Sequence, residues 1–257
     1  MTVSELRSTT SHTTPVLVSP RGAVTEGQLT QAIRTIGRVV RRHHIDDVAR
    51  VRLSAAPCAD GPMLVEVTVA FGGVPVRAQA VGPGGFATTF AAERLDRILA
   101  GVTAGEVRPR WPDPRRPQLA LPGEPRPIVR RKRCALLNAT VAEAIAVLES
   151  MDYDAHLFID AETGLDAVVY RAGPRGARLA RQHRLGLPTA GESLALTVNP
   201  LPTPYLSEGE AVDRLCRYGL PFLFYADPRD RRGRLLYRRY DGDLAVVAPA
   251  ESTEKER

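Results

Sequence analysis

Hydrophobic and polar positions fall into three regimes along this chain. From Val16 to Thr103, short alternating runs flank two stretches with helical spacing; between 104 and 127 the periodicity is lost; from Ile128 onward it returns twice in similar form. In the first regime, Val16, Leu17 and Val18 form a short strand. Leu29, Ile33, Ile36 and Val40 recur at helical spacing, and Thr25 with Gln28 three residues on predicts a capping box at that helix's start. Val51, Leu53 and Ala55 then alternate with Arg50, Arg52 and Ser54. Beyond the turn at 57–62, Val65, Val67, Val69 and Phe71 share one face. Gly72-Gly73 signals a two-residue hairpin, leading to Val74, Val76, Ala78 and Ala80 inward with Arg77 and Gln79 outward. Phe86, Phe90, Leu95, Ile98 and Leu99 mark a second helix. The order β-α-β-β-β-α predicts two helices on one face of a four-stranded sheet.

The third regime repeats itself. Moving 67 positions from Glu143–Arg171 lands on Glu210–Arg238 without a gap. Identities fall at Glu143/Glu210, Ala144/Ala211, Leu148/Leu215, Asp160/Asp227, Tyr170/Tyr237 and Arg171/Arg238. Apolar class is kept at Ile145/Val212, Leu157/Phe224, Phe158/Tyr225, Val168/Leu235 and Val169/Leu236. Each round reads as a β-α-β-β unit, and such a repeat decides how a core is shared. The expected class is α+β. The expected divisions are a disordered 1–14, a first domain at 15–103, a linker at 104–127, a first repeat at 128–182, a connection and second repeat at 183–250, and a tail at 251–257.

Charge sharpens this division. Net charge is +6, and the only lysines are Lys132 and Lys255, so arginine carries it. Residues 16–103 hold 10 Arg against 7 acids, 104–133 hold 9 basic residues against 3 acids, and the rest holds 15 against 18. The excess sits in the first domain and linker, which points to a polyanion such as nucleic acid. Arg34, Arg38, Arg41 and Arg42 form a stripe along the first helix with no acid inside it, an arrangement that repels itself unless something neutralises it. A solvated helix face is the plainer reading. The linker has seven prolines in 24 residues, which excludes regular helix or sheet and predicts an extended tether carrying Arg108, Arg110, Arg115, Arg116 and Arg126. Trp111 within it can stack on a base or cover a patch of its own domain.

Other candidate chemistry is thin. Cys58, Cys134 and Cys216 are odd in number and without ligand spacing, which favours reduced thiols. Gly82-Pro83-Gly84-Gly85 precedes a helix, yet no Gly-Lys-Ser/Thr follows, so a turn is expected rather than a nucleotide site. His43-His44 do not share a helix face, and a cationic helix end is expected. Asp152, Asp154, Asp160 and Glu162 lie at turns without calcium-loop spacing. No metal, cofactor or catalytic set is predicted. The first 14 residues lack a secretory apolar core, and no apolar run approaches a membrane span; a cytoplasmic protein is expected.

The third regime also carries a resemblance. Val129-Arg130-Arg131-Lys132-Arg133, Glu143-Ala144-Ile145, Leu157-Phe158-Ile159, Ala161-Glu162-Thr163-Gly164 and Val168-Val169-Tyr170-Arg171 closely resemble the C-terminal domain of long-form ribosome hibernation promoting factors. The second copy, ending Leu235-Leu236-Tyr237-Arg238-Arg239, is more diverged. That family normally has one such domain; the duplication is similar to a form found among mycobacterial dormancy- or hypoxia-associated ribosome factors. The resemblance implies that the first domain binds the small-subunit decoding and mRNA channel through 16S rRNA, blocks mRNA and tRNA, and inhibits translation under stress. Carried onto this chain, the rRNA-binding role falls to Arg34, Arg38, Arg41 and Arg42 on the first helix and to Arg94 and Arg97 on the second. Arg77 and the linker arginines Arg108, Arg110, Arg115 and Arg116 extend the expected set.

In single-copy members two such domains from separate chains pair and join ribosomes. A unit of about 50 residues buries too little apolar surface to stand alone. Here the two repeats are expected to pack on each other through Leu157, Phe158, Val168, Tyr170, Phe224, Tyr225, Leu235 and Tyr237. This intramolecular pseudo-dimer would leave the chain monomeric and acting on single 70S particles. The alternative is an RNA-binding or regulatory module acting off the ribosome.

Overall fold

The computed structural model describes residues 15–55, 61–104, 123–172, 176–183, 196–239 and 242–250. The chain forms two compact units. The linker arginines Arg108, Arg110, Arg115 and Arg116, Trp111 and Cys58 lie outside the described residues.

The first unit contains β1 (Val16–Arg21), α1 (Glu26–Arg42), β2 (Ala49–Ala55), β3 (Pro62–Phe71), β4 (Val74–Pro83) and α2 (Phe86–Thr103). The strands lie in sequence order, with β1 parallel to β2 and the other pairs antiparallel. Thr25 caps α1 as expected: its Oγ1 accepts from Gln28 N at 3.3 Å, and Gln28 Oε1 accepts from Thr25 N at 2.8 Å. Ile36 and Val40 of α1 and Leu95 and Leu99 of α2 join Val51, Leu53, Val65, Val67, Val76 and Ala78 in one core. Both helices therefore cover the same sheet face. Gly72 and Gly73 sit at φ 58° and 78°, the left-handed backbone a tight hairpin requires.

The second unit is built twice. Its first copy supplies β5 (Ile128–Cys134), β6 (Asn138–Ala139), α3 (Val141–Ser150), β7 (Ala155–Asp160), β8 (Asp166–Arg171) and β9 (Ala177–Arg181). The second supplies β10 (Leu196–Val198), α4 (Glu208–Arg217), β11 (Phe222–Ala226), β12 (Gly233–Arg238) and β13 (Leu244–Pro249). The first repeat thus carries two strands beyond the expected β-α-β-β, the two-residue β6 and β9, and the second carries one, β13. The shift of 67 maps α3 onto α4 and β8 onto β12 end to end. It also maps the Asn138–Ile159 bridge onto the Tyr205–Ala226 bridge. Both helices start on capping boxes, Thr140 with Glu143 and Ser207 with Glu210. Those hydrogen bonds hold both glutamate carboxyls below their ordinary range.

Each sheet is completed by the other repeat. β5 does not join its own copy; it runs parallel to β13 of the second copy, while β10 runs parallel to β9 of the first. The registers correspond under the same shift: Ala245↔Arg130 and Val246↔Arg131 match Arg178↔Thr197 and Leu179↔Val198. This reciprocal exchange of opening strands is a pseudo-two-fold arrangement. Each sheet packs its helix on one face: Ala144, Leu148, Phe158 and Val169 in one copy, Ala211, Leu215, Tyr225 and Leu236 in the other. The opposite faces meet through Leu157, Val168, Ala180, Phe224 and Leu235, flanked by Tyr170 and Phe222, whose rings make an edge contact at 5.1 Å.

This corrects two expected packing residues. Phe158 and Tyr225 do not lie between the repeats but under their own helices, because neighbouring residues in a strand point to opposite faces. Leu157, Val168, Phe224 and Leu235 are placed between the repeats. Tyr237 is half-buried, with its hydroxyl 2.7 Å from Lys132 Nζ.

Candidate nucleic-acid interface

The outer side of the first unit carries an open groove of about 600 Å³ between α1 and α2. Arg34, Arg38 and Arg42 line it from α1, while Glu93 and Asp96 line it from α2. The arginines stand there because the opposite side of α1 is taken up by the core. The helices approach closely at one end: Gln31 Nε2 donates to Gly85 O at 3.2 Å, and a Cβ on Gly85 would collide with Gln31 Oε1. That glycine lies where the two helices approach closely.

The stripe is not acid-free in three dimensions. Asp96 of α2 accepts from Arg42 Nη1 at 3.1 Å and lies 2.8 Å from His43 Nε2. Arg42 is thereby partly neutralised, and His43 closes the end of α1 beside a carboxylate. Arg34, Arg38 and Arg41 are exposed; Arg38 reaches Thr35 Oγ1 at 3.5 Å. Together these three form a row of exposed cations along α1.

The remaining expected residues are not gathered there. Arg77 projects from the sheet face opposite the helices and is engaged by Glu66, which also holds Arg52 at 3.1 Å; Arg77 further donates to Gln79 at 2.7 Å. Arg94, expected on the flank of α2, is instead buried at 7% exposure. Arg97 is half-buried. The roles of Asp96 and Glu66 escaped sequence reasoning because both partners are distant in sequence or across a sheet, and a stripe read along one helix cannot show them.

In the second unit the turn acids are structural. Asp160 accepts from Arg181 Nε at 2.6 Å and from Glu162 N at 3.0 Å; its counterpart Asp227 accepts from Arg234 Nε and from Arg229 N, both at 3.0 Å. Among the described residues, no cluster of three or more His, Cys, Asp or Glu is placed to hold a metal, and no helix is long and apolar enough to cross a membrane.

A family model described as Sigma 54 modulation/S30EA ribosomal protein C terminus matches residues 123–179, the stretch running from before β5 into β9. Two relatives, from Mycobacterium tuberculosis strains CDC 1551 / Oshkosh and ATCC 25618 / H37Rv, each bear the name Dormancy associated translation inhibitor. Each is 46% identical over 241 residues, spanning 91% of this chain and 88% of theirs. The chain belongs to the long-form ribosome hibernation factors. This family of translation inhibitors is not one of enzymes.

Proposed function

We propose that this hibernation factor inhibits translation by occlusion in the cytoplasm. The first unit enters the small-subunit decoding and mRNA channel and excludes mRNA and tRNA by contacting 16S rRNA phosphates. The observation that carries this reading is the row Arg34, Arg38 and Arg41, exposed on a helix whose other side is fixed in a core. Rigid presentation matters because cations held in place neutralise phosphates without first being ordered. Arg42 contributes within the groove, beside Asp96. The internal pairing of the repeats supports action on single 70S particles, because the surface that would join a second chain is already covered.

Sucrose-gradient sedimentation of ribosomes with the purified protein tests this. At low salt the native chain is expected to travel with 70S particles without a ribosome-dimer peak. Replacing Arg34, Arg38 and Arg41 by Ala should release it and lower the slope of log affinity against log salt by roughly one for each phosphate no longer neutralised. Retention of the triple variant would remove the α1 row from the interface. Equal binding to short RNA and to ribosomes would favour a module acting off the ribosome.

A further inference from the structure

The pseudo-two-fold relation brings some positions against their own counterparts, and there the repeats differ. Position 166 of the first copy corresponds to 233 of the second. Asp166, 3% exposed, accepts from Gly233 N at 2.6 Å and, through both carboxylate oxygens, from Arg232 Nε at 2.8 Å and Nη2 at 3.0 Å. Arg232 itself corresponds to Leu165. A Cβ on Gly233 would fall 2.6 Å from Asp166 Cβ and 2.8 Å from Phe224 Cε2. One aspartate fits at this place; two do not.

The exchanged strands show the same division. Arg131 of β5 reaches Glu208 of the other repeat at 2.5 and 3.4 Å. The counterparts of these two residues are Val198 and Val141, which belong to one apolar cluster. The structure thus sets charge against charge at one site and methyl against methyl at its mate.

We propose that these positions select the partner repeat: the first copy accepts the second, and each rejects a copy of itself. First-with-first pairing would press Asp166 against a second Asp166, buried, with Leu165 where Arg232 is needed, and would set Arg131 on Val141. Second-with-second pairing would oppose two Arg232 side chains with no carboxylate between them and set Val198 against Glu208. Burying like charges without partners is strongly unfavourable, and mismatches of this kind confer specificity by penalising the wrong partner. A homodimer cannot use this device, because it must place the same residue on both sides of its axis. The chain has therefore committed its pairing surface to itself. The proposal rests only on the internal-pairing part of the single-ribosome reading, and its test needs no ribosomes.

Three full-length chains decide it: native, Gly233→Asp, and a transposed variant. The last carries Asp166→Gly, Gly233→Asp, Leu165→Arg and Arg232→Leu. It also exchanges Leu157 and Phe224, because the Phe224 ring fills the space beside Gly233. Sedimentation velocity across the micromolar range and thermal unfolding are the readouts. The native chain is expected to be a monomer throughout. Gly233→Asp should lower the unfolding midpoint of the second unit by more than about 5 °C and self-associate as concentration rises. The transposed chain should return to a monomer with most of the midpoint recovered, since it restores the same interactions with the repeats' roles reversed. The proposal is overturned if Gly233→Asp remains a monomer at the native midpoint. It is equally overturned if the transposed chain fares no better than Gly233→Asp, which would make these residues local supports rather than selectors.

Discussion

The two repeats share a framework and differ at chosen points. Helix caps, helix packing and strand register agree under one shift of 67 residues, down to Ala144 and Ala211 on the buried faces of the helices and Leu157 and Phe224 between the sheets. Left-handed backbone also recurs at matching places, but the residues there are traded. Asp152 at φ 52° answers Gly219 at 61°, and Gly164 at 70° answers Arg231 at 57°. Under the helices, Phe158 answers Tyr225, and beside Phe158 stands His156 where the second copy has Leu223. A shared fold preserves backbone geometry; once two copies sit on one chain, each is free to bear a local cost that the other does not.

That comparison can be broken residue by residue. The largest expected effect is at His156, which stacks between Tyr153 and Phe158 at centroid distances of 6.0 and 6.2 Å and whose Nε2 is buried without a hydrogen-bond partner. Burial pushes its pKa down to about 4, below the ordinary 6.5. The unfolded chain therefore takes up a proton at higher pH than the folded one. Stability is expected to be full above pH 6.5 and to fall as pH drops toward 4, by at most about 3 kcal/mol. Installing the second copy's residue, His156→Leu, should flatten that part of the pH profile in urea unfolding; an unchanged profile would place the pH sensitivity elsewhere.

At Arg231 a side chain occupies backbone that favours glycine, at a cost of about 1–2 kcal/mol, partly offset by the greater freedom glycine brings to the unfolded state. Arg231→Gly should raise stability by about 0.5–1 kcal/mol. The Gln182 Nε2 bond to the residue 231 carbonyl, 2.7 Å long, needs no side chain and should survive. A loss of stability in chemical denaturation would mean that the arginine side chain does more than fill the turn.

The smallest effect is expected at Tyr225. Its hydroxyl is buried without a hydrogen-bond partner, and burial pushes its pKa up to about 12. Tyr225→Phe, which copies Phe158, should be neutral or stabilising by up to about 1 kcal/mol. A clear destabilisation, read by the same unfolding curves, would show that the hydroxyl has a water or protein partner.

The sequence was informative wherever the governing interaction is local or periodic. Thr25-Gln28 announced its capping box, the alternation through β2, β3 and β4 announced the sheet, and the 67-residue shift announced the duplication. The arginine stripe on α1 was legible too, because Arg34, Arg38, Arg41 and Arg42 are spaced by the helix itself. Its electrostatics were not: Asp96 is 54 positions from Arg42, and only helix packing brings them together. Period two in the strands would have assigned Phe158 and Tyr225 to the helix side, had the face been known; a run such as Leu157-Phe158 does not say which of its residues looks inward.

What the chain alone determined is the inventory: two helices on a four-stranded sheet, a proline-rich stretch, and two copies of one unit. The tertiary structure decided who completes whom. Hydrogen bonding along the edges of β5 and β10 carries no label of its source. Interactions distant in sequence accompany their exchange: Arg131 to Glu208, Lys132 to Tyr237, and Asp166 to Arg232 and Gly233. Local sequence sets what a strand can be, but only the assembled faces set which neighbour lowers its free energy most.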